Sequence, residues 1–455
     1  MAKRDIPEPF AFDEIRFRQC FSAPSYRHFV CLVTGWVMTV GIHTISRVIL
    51  TMGLERSWHF ASVYRFLSGA EWTSDSVSEK LFIRMVEVFV EAGAEVRVVL
   101  DDTLNRHRGR KICGAALQHD GAATNKSRSP FAHGLCFVVI GVAVRLPGIS
   151  RRVFCLPFGA RLWWPQSAKV KPGEAQYKTK PELGLELIEM TRSWLEHDRV
   201  LRLITDISYC CETIIKGRPQ GVHITGRVRK DSSVYDLPAP RNKGAKGRRP
   251  KKGKRLPTPQ AMFEHPCLAW ERILVTTYGK TKWALVHVCK AIWYRPAGDR
   301  PVLFVLVRDP GGSEPDAVFF DTDCDSAAKE IIERYACRWS IEITNREVKQ
   351  LLGSADPQCR TEHSVFRAPM IAHWAYSLVV LWFVSQWRMG KRFPIMTGPW
   401  YGLKKDISFA DMLAAARRSR FSISILEEAR ERPHLAEFDY ARCTRCTKLT
   451  INAKL

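Results

Sequence analysis

The residues able to do chemistry fall in three places. In YACRWSIEITNREVKQLLG, Tyr335 to Gly353, a helical reading sets Tyr335 at 0°, Arg338 near 300°, Glu342 near 340° and Lys349 near 320°. One acid then stands between a phenol and two cations on a narrow arc. Glu347, near 120°, and Glu333, near 160°, lie off that arc. The other two places are Asp101 or Asp102, ending EVRVVLDDT, and Asp206, ending VLRLITD. A carboxylate among phosphate-binding side chains suits metal-assisted chemistry at a nucleic-acid backbone, because Mg²⁺ takes carboxylate and phosphate oxygens together. A polar stripe on an amphipathic helix, or turn acids opening a loop, would be spelled the same way locally. The combination is far more specific than any one member.

These acids need elements to position them. Val96 to Leu100 is a near-continuous apolar run, as a buried strand requires. Acids at its end are costly unless a metal or a cation compensates them. His107 to Arg128 is basic and Gly-rich and reads as loop. Strands follow around Leu135 to Val144 and Arg152 to Leu156. PELGLELIEMTRSWLEHD is an amphipathic helix with Leu185, Leu187, Ile188 and Trp194 on its apolar positions. VLRLITD is a strand, Tyr209 to Ile215 a short helix that Gly217 helps to end, and Gly221 to Val228 a last strand. The order strand, strand, strand, helix, strand, helix, strand is an α/β layer pattern with a mixed sheet, and sites in such sheets collect at the carboxyl ends of strands.

The flanks differ in character. Residues 1–20 read as an arm, and Ser25 to Val90 as short helices broken at Gly41, Gly53 and Gly69. Thr44 caps the run ISRVIL. Basic residues and tight turns fit a helix-turn-helix-like DNA reader, and a plain helical bundle fits equally. RNKGAKGRRPKKGKR, Arg241 to Arg255, holds nine Lys or Arg in fifteen residues and no acid. It reads as a flexible basic tether on a phosphate backbone, with Arg248, Arg249, Lys251, Lys252 and Lys254 as contacts. Three β-strands then form what looks like a separate insertion, Pro257 to Thr322. Ser326 is placed to cap one long helix, Ala327 to Leu352, that Gly353 stops. Met370 to Trp387 reads as a buried core helix, and Phe409 to Arg417 as another helix. The expected division is a helical, DNA-binding 1–94; a catalytic core over 95–228 and 326–390, interrupted by a basic loop and β-rich insertion at 229–325; and a basic helical 391–455.

The chain has 455 residues and a formal charge of +24, which points to nucleic acid as the partner. MAKRDIPEPF has no apolar core segment, so no export signal is expected, and Phe29 to Ile42 is too short to span a bilayer. The 14 cysteines show no regular framework and are expected reduced. Cys443 and Cys446 form a CxxC with no second pair nearby to complete a zinc site.

Tyr335, Arg338, Glu342 and Lys349 together spell Tyr-x2-Arg-x3-Glu-x6-Lys. With LDDT and LITDISY, the chain resembles the transposases of bacterial insertion sequences, DDE-superfamily enzymes with an RNase H-like catalytic fold, in the subgroup with that signature. The resemblance covers about residues 95 to 355. It implies an RNase H-like mixed sheet with flanking helices and a β-rich insertion before the final Glu. It assigns Asp101, followed by Thr103, and Asp206 and Glu342 as catalytic metal ligands, with Asp102 the alternative first ligand. It implies two Mg²⁺ ions about 4 Å apart, with Mn²⁺ as a substitute. It also implies cut-and-paste transposition, with no covalent protein–DNA intermediate. Arg338 and Lys349 would hold phosphates, and Tyr335 would donate to a phosphate or pack. The implied partners are terminal inverted repeats and target duplex, bound by a homodimer in the bacterial cytoplasm at the nucleoid, with no membrane role. A catalytically inactive or domesticated DNA-binding protein, and an RNase H-like nuclease that cuts without joining, are the competing classes.

Overall fold

The structure is a computed structural model that describes residues 17–419, apart from 57, 122–129, 169, 174–175, 241–247, 249, 396, 398–403 and 405. Residues 1–16 of the expected arm, Arg249 and the Cys443/Cys446 pair therefore lie outside the described residues, while Phe17 packs into the core.

Ten strands form one sheet. They are β1 (Val96–Arg106), β2 (Ala116–His119), β3 (Phe131–Leu146), β4 (Ser150–Trp163), β5 (Leu201–Thr205), β6 (Val222–Arg227), β7 (Glu271–Thr277), β8 (Lys280–Ile292), β9 (Pro301–Arg308) and β10 (Ala317–Asp321). β3 runs antiparallel to both β4 and β1, and β5 and β6 add parallel to β1. That order, β4-β3-β1-β5-β6 with β3 reversed, is a mixed sheet, as the α/β layer pattern of the sequence predicts. The short β2 pairs with the start of β3, within the segment expected to be loop.

The expected insertion strands do form, but they are not a separate unit. β10 pairs antiparallel with β6, and β9, β8 and β7 follow outward, so the sheet simply continues. β10 is not among the expected strands; its Phe319 to Asp321 pair with Arg227 to Thr225 and join the two halves. Backbone groups at an open edge need partners, and β10 supplies them to β6.

The helices are α1 (Ala23–Met38), α2 (Ile45–Thr51), α3 (Phe60–Ser68), α4 (Ser74–Phe89), α5 (Lys180–Ser193), α6 (Glu212–Gly217), α7 (Pro259–Glu264), α8 (Tyr294–Ala297), α9 (Ala328–Ala336), α10 (Trp339–Leu351) and α11 (Glu362–Arg388); residues 409–419 are also helical. Thr44 caps α2 as expected, and Thr179 with Glu182 forms a capping box on α5. The single helix expected over 327–352 is two. Arg338 N–H bonds to Tyr335 O at 2.9 Å and Ile341 N–H to Arg338 O at 3.2 Å, a tightened turn of i to i+3 type that separates α9 from α10. Ser326 does not cap α9; its hydroxyl donates to Asp323 at 3.2 Å, and Ala327 occupies the cap position.

α11 runs through the interior. It is long and apolar enough to cross a membrane, but 94% of its apolar window is buried by the rest of the protein. The N-terminal helices share this core: Phe29, Trp36, Phe66 and Trp374 belong to one hydrophobic cluster with the central strands. Trp36 Nε1 donates to Leu352 O at 2.7 Å, and Arg367 of α11 donates to Trp72 O at 2.7 Å. A smaller cluster, including Val275, Val305, Ile331 and Ile332, seats α9 on the outer strands.

Candidate active site

β1 does not end at its acids. It runs on to Arg106 because β3 keeps pairing with it, from Asp101 opposite Val139 to Arg106 opposite Gly134. On its other side the parallel partner β5 stops at Thr205, opposite Leu100. Asp101 and Asp206 thus follow at the same level on adjacent strands, where the parallel pairing gives out. Residues level across a parallel pair point to the same face. Both acids are half-buried. Asp206 Oδ1 accepts from Ile207 N–H at 2.5 Å and caps the short 3₁₀ turn Ile207–Tyr209.

The pleat separates the doublet. Asp101 faces α10: Arg338 Nη1 lies 3.8 Å from its Oδ2, and the Glu342 charge reaches it. Asp102 faces the other way and is already engaged. It pairs with Lys180 Nζ at 2.6 Å and accepts from Tyr209 OH at 3.2 Å and from Cys136 Sγ at 3.5 Å. An apolar run buried on both faces hides this difference from the sequence.

Glu342 stands on the first turn of α10 and pairs with Arg338 Nη2 at 2.6 Å. Arg338 therefore holds Asp101 and Glu342 with one guanidinium. Burial pushes the Asp101 carboxyl up to about 7, and repulsion from Asp102 and Glu342 adds to this; the Asp102 N–H and Arg338 oppose it. Glu347 points elsewhere, as its helical angle predicted, and so does Glu333, which lies on α9. Glu347 accepts from Tyr376 OH at 2.9 Å and Glu333 from Thr276 N–H at 2.8 Å.

The other two signature residues flank this pair rather than join it. Tyr335 belongs to α9; its ring packs 4.7 Å from Phe319, with the Arg338 guanidinium 5.9 Å from the ring centre. Burial pushes its phenol up to about 12, and the Asp206 charge adds to that. Lys349 lies about 10 Å further along α10 from Glu342. Burial pulls its pKa down, and the charges of Asp120, Arg106 and Asp102 act on it.

The basic tether is only partly free. Lys252 Nζ sits 3.7 Å over the Tyr235 ring and 4.5 Å over Tyr294, and Lys251 lies 3.6 Å from Asp299. Backbone bonds from Asp236 N–H to Lys254 O and from Gly253 N–H to Asp236 O, both 2.8 Å, dock the same stretch. Arg248 and Lys254 are exposed.

Asp101, Asp206 and Glu342 offer oxygen donors alone, the set that suits Mg²⁺ or Mn²⁺ over softer ions. A buried carboxylate whose ionisation is disfavoured, as at Asp101, is also what a bound cation would relieve. As the side chains stand, no three His, Cys, Asp or Glu among the described residues converge closely enough to hold a metal ion. Arg338 occupies the position between two of them. Sequence reasoning missed Lys180 and Tyr209, which tie up Asp102; nothing in their local sequence marks them.

A family model described as DDE superfamily endonuclease matches residues 16–284, more than half of the chain. No curated protein matches it. Among solved structures, a piggyBac transposase synaptic complex with hairpin DNA is similar over 94% of this chain and 79% of that one, with a TM-score of 0.42 and 10% identity.

Proposed function

The chain belongs to the DDE superfamily endonucleases, and we propose that within it the protein is an insertion-sequence transposase of the Tyr-Arg-Glu-Lys signature subgroup. It cuts phosphodiester bonds at transposon ends and joins the freed ends to target DNA. The observation that carries this reading is the level placement of Asp101 and Asp206 on adjacent parallel strands, with Glu342 brought to the same face through Arg338.

In this reading Asp101, Asp206 and Glu342 hold divalent cations, Mg²⁺ or Mn²⁺. When bound, such ions would supply Lewis acidity at the scissile phosphodiester. The chain's own residues do the rest. Arg338, paired with Glu342 in this structure, would present its fork to a phosphate near the cut. Lys349 neutralises a phosphate further along the same helix. Tyr335 shapes the edge of the site through its packing on Phe319. The partners are duplex DNA ends and target DNA, met by two copies of the chain in the bacterial cytoplasm.

The test is a cleavage assay on a duplex carrying the repeats that flank the gene. The wild-type chain should cut with Mg²⁺ and then join the cut end to a second duplex. Asp206→Asn should bind the same duplex with nearly the same affinity and cut none of it. Normal cutting by Asp206→Asn rejects its role; cutting without joining by the wild type makes the protein a nuclease. Binding without any cutting makes it a DNA-binding descendant.

A further inference from the structure

A cleft of about 870 Å³ opens beyond the far end of β1. Its floor is the end of β1 and the start of β3, at Arg106 and His133, and its wall is the loop after α10, around Asp356 and Arg360. The two elements that carry Asp101 and Glu342 thus continue directly into it. The loop leaving β1 lines it with Arg108, Arg110 and Lys111. These three and Arg360 are exposed, and none has a carboxylate partner among the described residues. The acid in the lining, Asp356, is already taken by His43 N–H at 2.8 Å. Arg106 at the mouth is paired with Asp120. Four unpaired cations converging on one concave surface repel one another, and an anion resolves that cost.

The ligand's chemistry follows from position. Arg106 lies five residues past Asp101 on one strand, roughly 16 Å away. That is about five base pairs along a duplex. Lys349 stands in the last turn of α10, just before the point where the chain after that helix meets the end of β1, Asn105 Nδ2 donating to Ser354 O at 3.2 Å. Cations therefore run in a line from Arg338, past Lys349, to the cleft. A line of this spacing fits a regularly repeating anion better than a single phosphate.

We propose that this cleft grips the phosphate backbone of duplex DNA about five base pairs from the bond that is cut. The proposal rests on the DNA-cutting reading for what lies at the near end of the track. It adds a clamp remote from the acids, formed by Arg108, Arg110, Lys111 and Arg360.

The test uses the full chain in EDTA, so that no cutting intervenes. The probes are a fluorescent duplex carrying the edge of the flanking repeat and an unrelated duplex of equal length. Affinity is followed across salt for the wild type, for R108Q/R110Q/K111Q, and for Arg360→Gln on the opposite wall. The slope of log affinity against log salt should shallow by about two to three for the triple variant and about one for Arg360→Gln. Methylphosphonates placed about four to six base pairs from the cut edge should weaken the wild type and weaken the triple variant, which keeps only Arg360 of the clamp, by much less. If the triple variant fails to fold, Arg360→Gln and the methylphosphonate scan on the wild type decide alone. An unchanged slope, or a methylphosphonate penalty equal in wild type and variant, overturns the clamp. A wild type that binds steeply with salt yet never cuts with Mg²⁺ instead sinks the endonuclease reading and leaves the slope comparison standing.

Discussion

Arg338 Nη2 sits 2.6 Å from Glu342 Oε1, one turn back along the start of α10. The same guanidinium reaches Asp101 at 3.8 Å. One cation thus does in this conformation what a divalent ion would do in a loaded site, and the two compete for the same oxygens.

Removing the competitor should show this. Arg338→Ala leaves Asp101 and Glu342 facing each other with no cation between them. In EDTA the variant should melt below the wild type. Added Mn²⁺ should raise its melting point by more than it raises that of the wild type, since metal no longer displaces an ion pair. Equal Mn²⁺ shifts in the two proteins would mean that Arg338 and the metal do not share ligands.

The Asp101 carboxyl, held near 7 by burial, gives a pH dependence of definite sign. Its folded pKa is raised above the unfolded value of about 3.9, so the folded state keeps the proton longer. The cost is absent below about pH 4, grows as pH rises, and is complete above about pH 7. In EDTA, Asp101→Asn should therefore gain stability relative to wild type between pH 5 and pH 8. Mn²⁺ affinity of the wild type should rise about tenfold from pH 6 to pH 8, with proton release on binding. Calorimetry in two buffers of different ionisation enthalpy reads that proton directly. A flat affinity would show that Asp101 is already ionised throughout.

Lys349 and Lys252 should behave oppositely. Lys349→Ala is expected to weaken duplex binding and to shallow its salt dependence by about one. Lys252 is held by two aromatic rings. Lys252→Ala should leave the salt slope unchanged and lower stability by roughly 1 kcal/mol. A salt slope altered by Lys252→Ala would return that residue to the DNA contacts.

Gly353 ends the α10 segment with φ at +54°. A Cβ there would stand 2.2 Å from Asp356 Oδ2 and 2.7 Å from His43 Nδ1. Gly353→Ala must therefore strain the backbone and push apart the contact tying the N-terminal helices to the loop behind Glu342. A loss of about 2 kcal/mol or more is expected from denaturant unfolding. A neutral substitution would show that this loop relaxes freely.

The sequence by itself determined every strand but β2 and β10, the short acid-bearing motifs, the cap at Thr44 and the helix stop at Gly353. Each depends on neighbours within a few residues, through periodicity, capping or a positive φ. It also placed Glu342 apart from Glu347, because the angle between two positions on one helix is a local property. Tertiary structure decided the rest. It chose Asp101 over Asp102 as the acid facing Glu342, since both faces of β1 are apolar and only the partners on each side, Arg338 or Lys180, distinguish them. It broke the signature helix at Arg338, where a three-residue hydrogen-bond spacing fits the packing better than a fourth. It made the outer strands part of the same sheet, because pairing of β10 with β6 joins residues nearly a hundred positions apart, which no local pattern encodes.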